Sequence, residues 1–386
     1  MTATLGQPST IANVLAATRQ LVPEIRERAP EIEAARRVPR DLLDRLESAG
    51  CSRLLLPESH GGVGGPLVDA MAVFEELSGA DASVGWVTLL RAGSWVDLAA
   101  LPRSTFDELF GADTTPRVAG VFSPTGSAVP VADGYLVNGR WAFASGCEDA
   151  DWLFGNCVDA STGTPQLRIA VLPADEVEIE DTWSVSGMRG TGSHHFSAHD
   201  VVVPAARTVA LFTDPHSVDT TFLQIPVPSS LALLMATVPL GVARGALDDI
   251  LELATGKVPL LAGDRLATNP WFQHAIGDAD VQLRAARALL YAEADAAWAT
   301  ASAGEELTLA DRARLRSAAV HVAGTAAAVV ETAYRAGGGT SLYESSPLQR
   351  RLRDVNALAQ HFLLKPDTLT TCGALLAGVE PELTVF

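Results

Sequence analysis

The chain has 386 residues, of which 48% are hydrophobic and 19% charged. That balance supplies ample apolar material for a buried core and excludes intrinsic disorder. With 28 Lys and Arg against 46 Asp and Glu, the net charge is −18. A surface this acidic repels phosphate backbones and anionic lipid, so neither nucleic acid nor membrane is an expected partner.

The length predicts two to three domains or one large composite unit. Cys51, Cys147, Cys157 and Cys372 are scattered and form no CxxC pair, which fits a reduced, cytoplasmic setting better than a disulfide framework. The opening residues MTATLGQPST lack a basic region followed by an apolar one, so no signal peptide is expected there. The uncharged stretch from Phe222 to Ala243 is long enough to span a bilayer. Its three prolines and the lack of a close basic flank predict instead a loop entering a buried helix.

Three segments follow in chain order: 1–115 helical, 116–212 rich in β signals, and 213–386 helical again. In the first, Val14, Leu21, Ile25 and Ile32 keep an approximate helical period. A short helix is expected over Asp41–Ala49 and another after Pro66. A more apolar helix over Ser83–Leu98 should be buried on several sides. In the second, β-rich runs cover Val118–Phe122, Val129–Val131, Tyr135–Phe143, Trp152–Val158, Leu167–Leu172 and Val177–Ile179. Ala132-Asp133-Gly134 and Asn138-Gly139 are turn signals, and the spacing predicts a β-barrel or sandwich. In the third, Leu283, Ala286, Leu290 and Ala294 share one helical face, and His321, Thr325, Ala328 and Thr332 another. Helices this rich in alanine suit a four-helix bundle.

Several motifs have plain readings. Gly61-Gly62-Val63-Gly64-Gly65 lacks the third glycine and the βαβ setting of a dinucleotide site, and reads as a tight loop. His194, His195 and His199 fall on a β-rich run, where adjacent side chains point apart. Polar residues on a solvent face are expected there, and no metal site. No G-x-S-x-G elbow, P-loop or H-E-x-x-H occurs. Trp141 to Cys147, with Ser145-Gly146 at a strand end, could approach a flat ligand or simply turn a barrel corner. His361 ends an Ala/Leu-rich helix that also carries Arg353-Asp354.

These segments, in this order, resemble the acyl-CoA dehydrogenase fold, and more closely its oxygenase branch. That branch holds the oxygenase components of two-component flavin monooxygenases, such as secosteroid phenol hydroxylases and p-hydroxyphenylacetate hydroxylases. The likeness covers nearly the whole chain. It is carried by Ile25-Arg26-Glu27-Arg28-Ala29, Leu56-Pro57 with Gly61-Gly62, Ser83-Val84-Gly85-Trp86-Val87 and Tyr135 to Gly139. It continues through Trp141, Ser145-Gly146-Cys147, Gly187 to Ser193 with Val203-Pro204, and Pro347 to Arg350 with Arg353-Asp354. The order and spacing of the pieces are more specific than any one of them.

The resemblance implies an α+β fold: a helical N-terminal domain, a central β-barrel and a C-terminal four-helix bundle. It implies a homotetramer binding reduced FMN or FAD from a separate flavin reductase. The implied reaction hydroxylates a small or medium, aromatic or polycyclic substrate with O2 through a C4a-hydroperoxyflavin. A dry pocket protects that species. In the dehydrogenases this helix most commonly leads to a catalytic Glu. Here Leu358 to Leu364 contains none, and His361 matches the histidine of the oxygenases. His361 and Ser145 are the implied catalytic residues, the imidazole bonding the peroxide or moving a substrate proton near pH 7. Trp141, Ser145, Gly146, Arg189, Thr191 and Ser193 are the implied flavin contacts. Trp86, Trp95 and Cys147 are the implied pocket wall. Two histidines of the phenol-hydroxylating members are missing. None precedes Trp95 in Arg91-Ala92-Gly93-Ser94-Trp95, and Asn356 replaces the other. Alternatives are N-oxygenation of an amine or amino sugar, and FAD-dependent acyl-CoA dehydrogenation. No adenosine-binding pattern is evident around Arg265 to Gln282, so FMN fits as well as FAD.

Overall fold

In a computed structural model the described residues are 10–381, apart from 113, 115, 116 and 162. The first nine residues, read above as no signal peptide, and the 115/116 boundary lie outside them. Five helices come first: α1 (Ile11–Ala35), α2 (Arg40–Ser48), α3 (Leu67–Ala80), α4 (Ala82–Asp97) and α5 (Arg103–Phe110). The Thr10 side chain accepts from Asn13 N to cap α1, whose Ile11, Val14, Leu21, Ile25 and Ile32 form the buried stripe. Asp81 caps α4 by accepting from Ser83 N and Val84 N. Nearly every residue of α4 is buried, as its uniform apolarity predicted.

Seven strands follow: β1 (Val118–Val131), β2 (Gly134–Ala144), β3 (Trp152–Asp159), β4 (Gln166–Pro173), β5 (Glu178–Glu180), β6 (His194–Val203) and β7 (Thr208–Ala210). They form one mixed sheet in the order β5-β6-β2-β1-β3-β4-β7, with β1 and β3 parallel and the other pairs antiparallel. The runs Val118–Phe122 and Val129–Val131 are one strand whose register against β3 shifts between Val121 and Gly126. Ala132-Asp133 makes the expected hairpin, since Val131 pairs with Gly134. Asn138-Gly139 does not turn the chain. It lies inside β2 at a bulge against β6, because both neighbours of β2 continue past it.

Five longer or terminal helices complete the chain: α6 (Val227–Gly256), α7 (Pro270–Ser302), α8 (Leu309–Gly337), α9 (Pro347–Leu358) and α10 (Thr368–Leu376). Leu283, Ala286, Leu290 and Ala294 bury the inner face of α7. His321 and Ala328 stand exposed on the outer face of α8. Helix α6 is long and apolar enough to cross a membrane, yet 89% of that apolar stretch is buried inside the protein, which makes it a core helix. All four cysteines are free and buried.

Candidate active site

Three elements meet where the sheet faces the N-terminal helices. Strand β2 ends at Ala144 and the chain turns through Ser145 and Gly146, the latter at φ 72°. A short turn, Arg189–Thr191, sits between two left-handed residues, Met188 (φ 56°) and Gly192 (φ 51°). Gly146 N donates to Thr191 O at 2.8 Å and joins the two turns. Helix α4 supplies the third wall, for a Cβ on Gly146 would stand 3.3 Å from Val87 Cγ1.

A row of polar side chains crosses this junction. The Trp86 indole N–H donates to Ser145 Oγ at 3.1 Å. Ser145 Oγ lies 2.7 Å from Ser193 Oγ, and Ser193 Oγ lies 2.6 Å from Thr191 Oγ1. Thr191 donates to Met188 O at 2.8 Å. On the other side of Trp86 stands His361, the two rings edge to face with centroids 5.4 Å apart. Thus Trp86, Ser145, Gly146, Thr191, Ser193 and His361, widely separated in sequence, come together.

His361 follows α9 and caps the short turn Phe362–Leu364, its Nδ1 accepting from Leu363 N at 3.3 Å. The proton of the neutral ring therefore sits on Nε2. Burial, with the Arg316 charge adding to it, pushes the imidazole down to about 4. At pH 7 the ring is neutral with Nε2–H free to donate, which fits the hydrogen-bonding role expected of it better than the proton-moving one.

The structure separates three expected residues from this cluster. The Trp141 ring is fully buried inside the sheet, stacked on Phe196 with centroids 4.8 Å apart and donating to Asn156 O at 2.8 Å. It fills a socket of glycines: a Cβ on Gly126, Gly139 or Gly155 would meet its ring at 2.3, 2.6 and 2.4 Å. It has no face left for a ligand. Trp95 is also core, packed against Phe106 and Phe222. It comes nine positions after Trp86, about half a turn round α4, and so faces away from it. Cys147 is buried with Sγ 3.6 Å from Gly192 O, its thiol pushed up to about 12 by burial. Asn356 is exposed and bonds its own helix at Leu352 O.

Other residues occupy the exposed side of the cluster. Phe143 is 67% exposed and held at φ 71°. Its ring meets Trp183 and His195 edge-on, with centroids 6.0 and 6.1 Å away. A large apolar side chain in a left-handed conformation at a strand end is a strained arrangement characteristic of ligand sites. Alternation along β2 would put residue 143 on the buried face of Trp141; the register shift between Trp141 and Ala144 turns Phe143 outward instead, so the sequence pattern carried no signal for it. Two polar atoms here are buried with no partner among the described residues: Arg189 Nε and His195 Nδ1. His194, expected on a solvent face, is buried instead, its Nδ1 accepting from Thr182 N and Trp183 N. It thereby holds the Trp183 segment in place.

Helix α9 is tied to the same turn. The buried Asp354 carboxylate accepts from Met188 N at 2.6 Å, and a Cβ on Gly187 would stand 2.2 Å from Arg353 O. Two concavities lie apart from this cluster. One of about 720 Å³ runs along the outer side of α7 and α8 past Glu293, Arg314 and His321. One of about 190 Å³ opens beside Leu55, Phe222 and Trp298. The convergence of side chains marks the site.

An exposed aromatic face, orphaned polar atoms beside it and a ring of hydroxyls suit a flat, polar-edged cofactor such as an isoalloxazine. Comparison with known proteins agrees. Residues 13–98 match the family described as acyl-CoA dehydrogenase, N-terminal domain, and 233–366 the corresponding C-terminal domain. An indole-3-acetate monooxygenase of Pseudomonas putida is 33% identical, the match covering 92% of this chain and 91% of that one. The flavin-dependent monooxygenase oxygenase subunit HsaA of Rhodococcus jostii (strain RHA1) is 31% identical over 90% of this chain and 93% of its own. The solved structure of XiaF from Streptomyces sp., in complex with FADH2 and glycerol, superposes with a TM-score of 0.89 at 25% identity. It covers 97% of this chain and 98% of XiaF.

Proposed function

Because this chain belongs to the acyl-CoA dehydrogenase family, and within it to the flavin-dependent monooxygenases, we propose that it hydroxylates a small or medium aromatic or polycyclic molecule with O2 and reduced FMN or FAD. The flavin arrives from a separate reductase, as the oxygenase-subunit name of the HsaA relative suggests for that protein. The observation that carries the reading is the meeting of Ser145, Ser193, Trp86 and His361 beside the exposed Phe143 face. N-oxygenation and acyl-CoA dehydrogenation are not favoured, for the relatives include an indole-3-acetate monooxygenase and a resorcinol hydroxylase and the His361 position offers no carboxylate base.

Bound reduced flavin supplies the electrons that activate O2. The chain's own residues hold and shelter it. Phe143 and Trp183 would lie against the ring system, Ser145, Gly146, Thr191 and Ser193 along its edge, and Arg189 at a polar edge through its orphaned Nε. His361, neutral and protonated on Nε2, would offer a hydrogen-bond donor to oxygen reacting at the bound flavin. Trp86, itself buried, closes the site against water on the α4 side.

A cytoplasmic homotetramer completes the proposal. Val281 and Leu289 of α7 remain exposed in the single chain beside the concavity along α8, which suits a subunit interface. The reading is tested by mixing the protein anaerobically with FMNH2 or FADH2 and then with O2 while recording absorbance. A transient species between the reduced and oxidised spectra, outliving free reduced flavin, supports it. Reoxidation at the rate of free flavin, with and without aromatic substrates, overturns it.

A further inference from the structure

The hydroxyl row at the site has a fixed direction, set by its two ends. At one end the Trp86 indole is a donor only, and it donates to Ser145 Oγ. At the other end the Met188 carbonyl is an acceptor only, and Thr191 donates to it. Between them stand three hydroxyls with one proton each. They have three bonds to supply: Thr191 to Met188 O, Thr191 with Ser193, and Ser193 with Ser145. Since Thr191 spends its proton on Met188 O, Ser193 donates to Thr191, and Ser145 must donate to Ser193. Ser145 thus receives from Trp86, gives its only proton inward, and keeps one lone pair free.

We infer that Ser145 faces the cofactor as a hydrogen-bond acceptor, and that Ser193 and Thr191 are positioning residues that hold it so. The inference rests on the flavin reading above. Oxidised flavin carries a bare, accepting N5, and reduced flavin carries N5–H, a donor. With Ser145 set opposite N5, as the proposal has it, a serine whose proton is committed inward would bond the reduced form and offer nothing to the oxidised one. Turning the Ser145 proton outward breaks one of the three bonds of the row, all 2.6–2.8 Å long. The row therefore discriminates between oxidation states: it favours arrival of reduced flavin and departure of oxidised flavin.

Removing an inner hydroxyl releases that constraint. In Ser193→Ala the Ser145 proton loses its acceptor and becomes free to donate outward. In Thr191→Val the Ser193 proton turns back to Ser145, with the same result. The test titrates the full chain anaerobically with oxidised and reduced FMN, and with both forms of FAD. The wild-type protein should bind the reduced form more tightly. Ser193→Ala and Thr191→Val should each tighten oxidised flavin by about fivefold, the worth of one hydrogen bond, and narrow the preference. Ser145→Ala should narrow it from the other side, by weakening reduced flavin. Ser193→Thr, which keeps the hydroxyl, should restore the wild-type ratio. A merely structural role would weaken both oxidation states together. Folded Ser193→Ala and Thr191→Val proteins with the wild-type ratio overturn the assignment of the row while leaving the flavin reading intact. A wild-type chain that binds neither flavin overturns that reading, and the inference with it.

Discussion

His361 stands uncharged at neutral pH in the folded chain. Its position beside Trp86 and its depressed protonation, to about 4, make the imidazole a neutral donor across the physiological range. Replacement by Ala should lower coupled product at least tenfold and release the missing oxidant as hydrogen peroxide, read by product assay and peroxide capture together. Unchanged product and peroxide would remove His361 from the mechanism. Because its folded value lies below the unfolded 6.5, this residue's contribution to stability is full above pH 6.5 and is lost as pH falls toward 4. His361→Gln cannot charge, so its melting temperature should fall less steeply than that of the wild type between pH 6.5 and 4.5. At the same scale, Gly155→Ala forces a methyl into the Trp141 ring and should cost about 1–3 kcal/mol of stability, checked by denaturant unfolding. A neutral Gly155→Ala would show that the socket is slack.

Helix α9 links the parts of the site. It buries Asp354 against Met188 N and leads on to His361. Burial foremost, then the neighbouring Asp81 charge, raise the Asp354 carboxyl to about 7; Met188 N, Arg350 and Arg353 oppose the shift. The sign follows from a folded value above the unfolded one. Stability is fully present below pH 3.8 and is lost as pH rises through about 7. Asp354→Asn keeps an acceptor for Met188 N without a charge to bury. Its stability advantage over the wild type should therefore widen from pH 4 to about 7 and then level off, in thermal melts across that range. A gap independent of pH would mean that Asp354 stays ionised. The element pattern was legible in the sequence where one rule governed each stretch. Helical periods placed α1 and α7, uniform apolarity placed α4, and runs of β-forming residues bounded by turn signals placed β3 and β4. Asn138-Gly139 misled because the same dipeptide that turns a hairpin also relaxes a bulge. Trp141 misled because a tryptophan near a serine-glycine turn resembles a ligand wall, whereas Gly139 beside it and the distant Gly126 and Gly155 enclose it. Phe143 was invisible for the converse reason, since a left-handed phenylalanine is dictated by its surroundings and not by its own preference.

At the scale of the whole molecule, ion pairs tie the N-terminal helices to the β region and to α9. Arg36 pairs with Asp181 at 2.7 Å, Arg117 with Glu47 at 2.7 Å, and Arg353 of α9 with Glu33 of α1 at 2.6 Å. None of these partnerships could be read from local sequence, because each joins residues whose separation is set only by the completed fold. The outer side of α8, with its exposed Gly324 and Ala328, offers the close approach that a neighbouring helix needs. If the proposed tetramer forms through this face, Ala328→Arg should lower the mass measured by light scattering from that of four chains toward smaller species. A tetramer that persists would move the interface elsewhere.

The four cysteines have a practical meaning of their own. Burial raises the Cys51 thiol to about 11 and those of Cys147 and Cys157 to about 12, and Cys372 is buried as well. Thiols so enclosed and so reluctant to ionise react slowly with maleimides and methanethiosulfonates near neutral pH. The natural chain is thus already a silent background for site-directed labelling. A single cysteine placed at Phe212 or Leu376, both well exposed, would carry a spin label or fluorophore with no prior removal of native residues.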